Sequence, residues 1–376
     1  PMCNGFDPNG TGGTPGEGVD APGPAGTLQT LANYLRDGFW ADFNGGDPRW
    51  YNLTNAGAGA NNGTLYYNVT GFTGTRLGMS DTNGISAARQ TMVRESFKLY
   101  GELMGINFVE TTSDATHVDF FFIDTVYTST GGERAFCSTQ LVSGTGGAID
   151  YNVINVTPGW SSSSSNIGGT NGYTFQTFLH EIGHAMGLGH QGIYNAGSGN
   201  PTYANDAQWV NDTWQQTIMS YWSQNSWAAS GADYAQLVSL MGADWVALND
   251  LYAAQGFGSS NAFNGNTIYG VGTNITTAVS TAMANLADYA DTNAFTIVDG
   301  SGVDTVDFSN YNVAQRIDLT LSSASNTQAT ISDVGGLTGN MSIAVGTIIE
   351  NATSGGGNDT LIGNQYANTL IGNGGN

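Results

Sequence analysis

Residues 180–190 read HEIGHAMGLGH and hold three of the four histidines in the chain. The pattern H-E-x-x-H-x-x-G-x-x-H is too constrained to arise by chance in a sequence so poor in histidine. On a helix, His180 and His184 stand at i and i+4 and project from one face, where two imidazole nitrogens reach one zinc ion. Gly187 permits the left-handed turn that ends such a helix and sends the chain back, so His190 supplies a third nitrogen. A fourth position is left for water. Glu181 adjoins the first ligand without being one; it is placed to take a proton as water attacks a carbonyl and to pass it to the leaving amine. That chemistry is amide hydrolysis. A closed structural zinc site takes four protein ligands, usually rich in Cys, and the only cysteines, Cys3 and Cys137, are far away in sequence. The fourth histidine, His117 in ATHVDFFF, reads as a strand-end residue rather than a ligand.

Around this motif helices and strands mix. Residues 28–43 fit a helix, and 86–104 fit one better, with Val93, Phe97, Tyr100 and Met104 on one face. Short β-branched or aromatic runs at 64–69, 106–110, 118–123 and 148–154 read as strands, and 174–186 and 234–254 as further helices. This is an α/β (α+β) catalytic domain over 28–255, preceded by a Pro/Gly-rich arm at 1–27 in which no core is expected. From about residue 256 the texture becomes short strands between Gly, Asn and Asp turns, and 256–376 reads as an all-β domain. It ends in SGGGNDTLI (354–362), GNQYANTLI (363–371) and GNGGN (372–376), a nine-residue repeat. In the pattern G-G-x-G-x-D-x-U-x, glycines make tight turns, the sixth-position carboxylate and backbone carbonyls bind calcium, and the eighth residue fills the coil of a parallel β-roll. Gly355, Gly357 and Asp359 fit that pattern; Asn368 stands where the second repeat would have Asp. The chain stops inside a third repeat, which is what a truncated or proteolysed product would show.

The 376 residues carry 8 Lys+Arg against 30 Asp+Glu, a net charge of −22, and after Arg134 the only basic residue is Arg316. Phosphate contacts are unavailable over most of such a surface, which argues against nucleic acid and anionic membranes as partners. The acidity suits hard oxygen ligation of calcium instead. No apolar run approaches a membrane span, and the first 30 residues lack the basic and apolar regions of an export signal.

HEIGHAMGLGH followed by TIMSYW (217–222) resembles the metzincin clan and, within it, the serralysin family of secreted bacterial zinc metalloproteases. ADYAQLVSLMGADWVALNDLY (232–252), TIYG (267–270), VDTVDFSNYNVAQRIDL (303–319) and SDVGGLTGNMSIAVGTIIENA (332–352) carry the resemblance onward, so it covers roughly 28–376. It implies one catalytic zinc, several structural calcium ions, a Met-turn at Met219 beneath the zinc ligands, and Tyr221 as an additional zinc ligand able to swing off and stabilise an oxyanion. It further implies calcium sites at Asp299, Gly302, Asp304 and Glu350, with carbonyls from Phe263, Gly265 and Thr267. Polypeptide substrates, a proteinaceous inhibitor, a monomeric state and leaderless secretion to the extracellular space belong to the same implication. The competing class is a calcium-dependent adhesin or binding protein with a non-catalytic zinc fold, against which the presence of Glu181 counts. Gln191 and Ile193 depart from the family, which usually has Pro and an acidic residue there.

The two cysteines are unusual for that family. Bridged, they would close a long loop, worth at most about 5 kcal/mol of chain entropy, and pin the arm to the catalytic domain. Alternatively PMCNGFDP, with Asn4 in place of glycine, resembles the P-x-C-G-x-x-D switch of matrixins, in which a thiolate blocks zinc. Two reduced thiols are the third option.

Overall fold

The computed structural model describes residues 2–4, 23–42, 46–51, 53, 62–112, 117–126, 134–160, 169–194 and 201–375, the first three by backbone alone. Most of the Pro/Gly-rich arm, 5–22, lies outside them.

The first half is built on a six-stranded sheet: β1 (Met2–Asn4), β2 (Thr64–Asn68), β3 (Asn107–Glu110), β4 (Phe120–Ile123), β5 (Ala135–Leu141) and β6 (Ile149–Val156), in the order β1-β5-β6-β4-β2-β3. β3, β2, β4 and β6 are parallel, whereas β5 runs antiparallel to both β6 and β1. Helices α1 (Leu28–Asn33) and α2 (Phe39–Asp42), joined by a π-helical turn, precede α3 (Ala87–Met104), α4 (Tyr173–Ala185), the one-turn α5 (Tyr203–Asp206) and α6 (Gly242–Tyr252). Along α3 the apolar residues Val93, Phe97, Tyr100 and Met104 are buried as their spacing requires. Gly105 at φ +76° ends the helix in a left-handed cap.

The second half contains β7 (Gln236–Leu237), β8 (Ile268–Gly270), the one-turn helices α7 (Thr281–Ala284) and α8 (Leu286–Tyr289), β9 (Asn293–Ile297), β10 (Thr305–Asp307), β11 (Arg316–Asp318), β12 (Thr330–Ser332), β13 (Met341–Ile343), β14 (Asn351–Thr353), β15 (Thr360–Ile362) and β16 (Thr369–Ile371). β8, β10, β14 and β16 pair in parallel in one sheet, and β11 pairs in parallel with β15 in another. β14, β15 and β16 begin at 351, 360 and 369. Successive nonapeptides therefore alternate between two sheets, which is the coil of a β-roll.

Several sequence expectations change. Residues 2–4 of the arm form strand β1. AFCSTQL at 135–141 forms β5, which the patterning left unassigned because its polar second half blurs the alternation. The helix expected over 234–254 begins only at Gly242, because Gln236–Leu237 is drawn into parallel pairing with β9. Two one-turn helices, α7 and α8, lie between the strands of the second half. Residues on either side of 256 also pack together: β7 lies in a sheet with β9, β13 and β12, the backbone of Leu28 and Gln29 donates to Asn326 and Ala324, and one continuous apolar cluster runs from Leu28 to Ala352.

α4 is the helix that matters most, and every one of its residues is buried. Its C-terminal carbonyls cannot be met by water there, so distant side chains meet them. Trp50 Nε1 donates to Ala185 O (3.0 Å), the Tyr252 hydroxyl to Met186 O (2.6 Å), and Trp40 Nε1 to Gly187 O (2.9 Å). Gly187 itself sits at φ +99°, with Pro48 O where a Cβ would go. Trp40→Phe keeps the ring but leaves the Gly187 carbonyl without its indole donor. It is expected to lower unfolding stability by about 1–3 kcal/mol in urea titrations with calcium and zinc present.

Candidate metal centre

The turn after α4 brings His190 back against the helix, and the ligand atoms of His180, His184 and His190 all lie within 4.8 Å of one another. Among the described residues this is the one group of three or more His, Cys, Asp or Glu side chains so arranged. Each Nδ1 faces a backbone carbonyl: His180 that of Ile218 (2.8 Å), His184 that of Leu188 (2.7 Å) and His190 that of Tyr194 (2.9 Å). A carbonyl only accepts, so each Nδ1 carries the hydrogen and each Nε2 presents a bare lone pair. The Nε2 atoms of His184 and His190 stand 3.1 Å apart. With these tautomers neither nitrogen can donate to the other. Two lone pairs so close in a dry interior fit a shared cation, and three neutral imidazoles are the donor set that zinc takes. Burial lowers the pKa of all three, that of His184 to about 4, so they are neutral at ordinary pH.

Glu181 follows the first histidine on α4 and is buried, with Oε2 lacking a hydrogen-bond partner among the described residues. Burial pushes its carboxyl well above the ordinary range; a divalent cation alongside acts in the opposite sense. Tyr221 packs edge-on against His190, ring centroids 4.6 Å apart. Met219 lies beneath α4, where a Cβ on Gly183 would meet its Sδ at 2.7 Å. Its fully buried side chain thus supports the helix from below. His117 is outside the cluster, exposed and paired with Asp119 at 3.1 Å. Gln191 is buried and donates to Leu31 O, while Ile193 is 59% exposed beside the third histidine.

Two buried carboxylates that sequence reading missed hold the partners of these histidines. Asp244, in the first turn of α6, accepts from the Thr217 hydroxyl (2.5 Å) and from the backbone N–H groups of Ile218 and Met241 (2.8 Å each). It thereby fixes the residue whose carbonyl orients His180. Asp212 accepts from the Tyr194 hydroxyl at 3.0 and 3.2 Å. Tyr194 both stacks on His190, at 5.4 Å and 19°, and supplies the carbonyl that orients it. Desolvation raises Asp244 to about 6 and Asp212 to about 7. An acidic residue in the first turn of a helix is ordinary capping, and nothing local in MGADW marks Asp244 as a support for a histidine dozens of residues away.

In the second half the residues expected around calcium come together. The Asp304 carboxylate accepts from Thr267 N (2.7 Å), and Asp304 N donates to Glu350 (2.7 Å). The Thr267 hydroxyl faces the carbonyls of Phe263 and Gly265. Asp299 accepts from the Tyr269 hydroxyl (2.8 Å) and Ser301 N (2.9 Å). A Cβ on Gly302 would collide with Gly265 O and Asp304 Oδ1, so glycine there lets carbonyl and carboxylate converge. Burial, with a smaller contribution from neighbouring carboxylates, raises Asp299 to about 7 and Asp304 in the same direction. In the repeats, Gly355 and Gly357 likewise allow close approach of Tyr311 O and Val313 O, and Asp359 accepts from Gln315 N. Asp304 Oδ2 and Asp359 Oδ2 are buried acceptors without a donor among the described residues, which fits a cation. Asn368 behaves differently: its oxygen accepts from Asn364 N, and its nitrogen donates to Glu350 O and Asn364 Oδ1. The amide there closes the turn by hydrogen bonds.

Comparison with known proteins finds similar metallopeptidases. Residues 109–242 match the profile of metallo-peptidase family M12B, reprolysin-like, and residues 259–375 that of the peptidase M10 serralysin C terminal. A serralysin of Photorhabdus luminescens is 37% identical over 296 residues, 78% of this chain and 56% of that protein. A metallopeptidase AprA of Pseudomonas marginalis is 35% identical over 350 residues, 91% and 66% respectively. A metalloprotease AprA of Pseudomonas entomophila is 41% identical over 206 residues, 54% and 39%.

The chain belongs to the serralysin family of metzincins. It spans little more than half the length of the first of these relatives.

Asp244→Ala would leave two buried N–H groups and a hydroxyl without their acceptor. Chemical denaturation is expected to register a loss of about 3 kcal/mol or more, and competition against a chelator a zinc affinity about 10- to 100-fold weaker.

Proposed function

We propose that the protein is a secreted zinc-dependent endopeptidase acting on extracellular polypeptides. The observation that carries this reading is the trio of buried imidazoles with hydrogens fixed on Nδ1 and lone pairs turned inward, beside Glu181, whose Oε2 meets no donor among the described residues. Bound zinc supplies a Lewis acid that polarises a carbonyl and makes water nucleophilic at neutral pH.

The chain's own residues do the rest. His180, His184 and His190 hold the metal, with Tyr221 an additional ligand in the resting site. Glu181 takes the proton released as water attacks the peptide carbonyl and returns it to the departing nitrogen. The Tyr221 hydroxyl donates to the carbonyl oxygen as charge develops on it. An extended substrate is aligned by strand addition to the sheet edge that flanks α4.

The division into an arm (1–27), a catalytic domain (28–255) and a calcium-binding β-roll domain (256–376) belongs to the same reading. Calcium is ligated around Phe263, Gly265, Thr267, Asp299, Gly302, Asp304 and Glu350, and in the repeats around Gly355, Gly357 and Asp359. It neutralises a half of the molecule whose only cation is Arg316. An extracellular location fits the acidic surface, and no helix among the described residues is long and apolar enough to cross a membrane. A monomer, with polypeptides and a proteinaceous inhibitor as its partners, completes the proposal.

Casein hydrolysis tests it. Activity should vanish with 1,10-phenanthroline and return with zinc, calcium being present throughout. Glu181→Ala should retain zinc by mass spectrometry while turnover falls by about 10²- to 10⁴-fold; undiminished turnover would remove Glu181 from its role. Chelating calcium should destabilise the fold in a concentration-dependent way, each site saturated to 100 times its Kd contributing about 2.7 kcal/mol. Calorimetry at graded calcium reads this as a rising Tm.

A further inference from the structure

The cysteines are the feature of the sequence that the peptidase chemistry does not use. β1 lies antiparallel on the outer edge of β5, in the register Met2↔Ser138, Cys3↔Cys137, Asn4↔Phe136. The only two cysteines in 376 residues thus stand directly opposite each other on neighbouring strands. Opposed residues of an antiparallel pair have Cα atoms about 4.5–5.5 Å apart and share one face of the sheet. That spacing falls within the range of about 4.4–6.8 Å that a disulfide spans.

The face concerned is the one covered by α4. Cys137 is buried, with Sγ 3.8 Å from Asn152 Oδ1, and Asn152 reaches on to Ala185 O at the end of α4. Without β1, β5 would be the terminal strand of the sheet on this side. Its unpaired N–H and C=O groups would then be a template for an extended peptide.

We propose that Cys3 and Cys137 form a disulfide that latches β1 across the outer edge of β5, so that the chain's own residues 2–4 occupy the edge an extended substrate would join. The occupation of a substrate edge rests on the peptidase reading; the bridge does not. Formation joins two thiol sulfurs with loss of two protons and two electrons, which an external disulfide such as oxidised glutathione takes up as it is reduced to two thiols. A bridged strand competes with substrate as an intramolecular ligand, at an effective concentration of the order of millimolar. Releasing it should therefore lower KM and leave kcat unchanged.

The test uses the full chain with calcium and zinc, equilibrated with oxidised glutathione. Peptide mapping without reductant should find the Cys3 and Cys137 peptides joined and separable by reduction; alkylation of both cysteines in denaturant before reduction would overturn the bridge. Hydrogen exchange of the β5 amides should be at least about tenfold faster in Cys3→Ser than in the bridged chain, and equal exchange would overturn the latch. Both Cys3→Ser and Cys137→Ser should lower KM for a casein-derived peptide. Activation by Cys3→Ser alone, with Cys137→Ser folded, would assign Cys3 to the metal and overturn the proposal. If Cys137→Ser fails to fold, Cys3→Ser and the peptide map still decide. If no form cuts a polypeptide, the peptidase reading fails while mapping and exchange continue to judge the bridge and the latch.

Discussion

Three backbone carbonyls, those of Ile218, Leu188 and Tyr194, fix the hydrogens of three imidazoles on Nδ1 and so turn three lone pairs toward one point. Much of the first half serves to keep those carbonyls in place. Leu188 is held by the turn at Gly187, which the indole of Trp40 closes from α2. Ile218 is held by Asp244 on α6, and Tyr194 by Asp212. Each support comes from a different part of the chain, so the metal centre depends on tertiary packing even though its ligands are close in sequence. Burial makes this arrangement possible and costly together. It keeps the imidazoles neutral and gives their hydrogen bonds strength, while it leaves Glu181 as a desolvated carboxyl whose proton affinity depends on what stands beside it.

The two halves solve opposite electrostatic problems. Around α4 the candidate donors are neutral, enclosed and few, which suits a compact borderline-soft ion. In the second half the candidate donors are carboxylates and main-chain carbonyls, with close approach allowed by glycines at 302, 355 and 357, which suits a larger hard ion. The halves are nevertheless one packed body. β7, from the segment preceding α6, lies in the sheet of β9, and α6 carries Asp244, which reaches back to Thr217 and Ile218. A disturbance of the acidic half therefore has a structural path to His180 through α6 and Ile218.

The edge of β5 illustrates how a sheet manages an exposed strand. A strand with one open side pairs with whatever extended backbone is near, and here residues 2–4 supply it. The same backbone groups serve recognition or self-coverage, and the covalent chemistry of Cys3 and Cys137 bears on that choice.

The clustering of three histidines beside Glu181 was legible in the sequence because these residues fall within eleven positions on one helix and one turn, where helical period and a single glycine dictate direction. The nonapeptide spacing was legible for the same reason, since period nine maps onto strands at 351, 360 and 369. The roles of Met219, Tyr221 and the calcium-site residues came from family resemblance, not from their own spacing. Strand β5, the late start of α6, the joining of β7 to the second half, and the supports at Trp40, Asp212 and Asp244 were not legible at all. These are contacts between residues far apart in the chain, and hydrophobic period carries no record of which distant donor will meet a buried acceptor. The sequence by itself therefore determined which atoms could bind a metal. The tertiary structure decided their tautomers, their depth and the strand across β5, because each depends on partners that only folding brings within hydrogen-bonding distance.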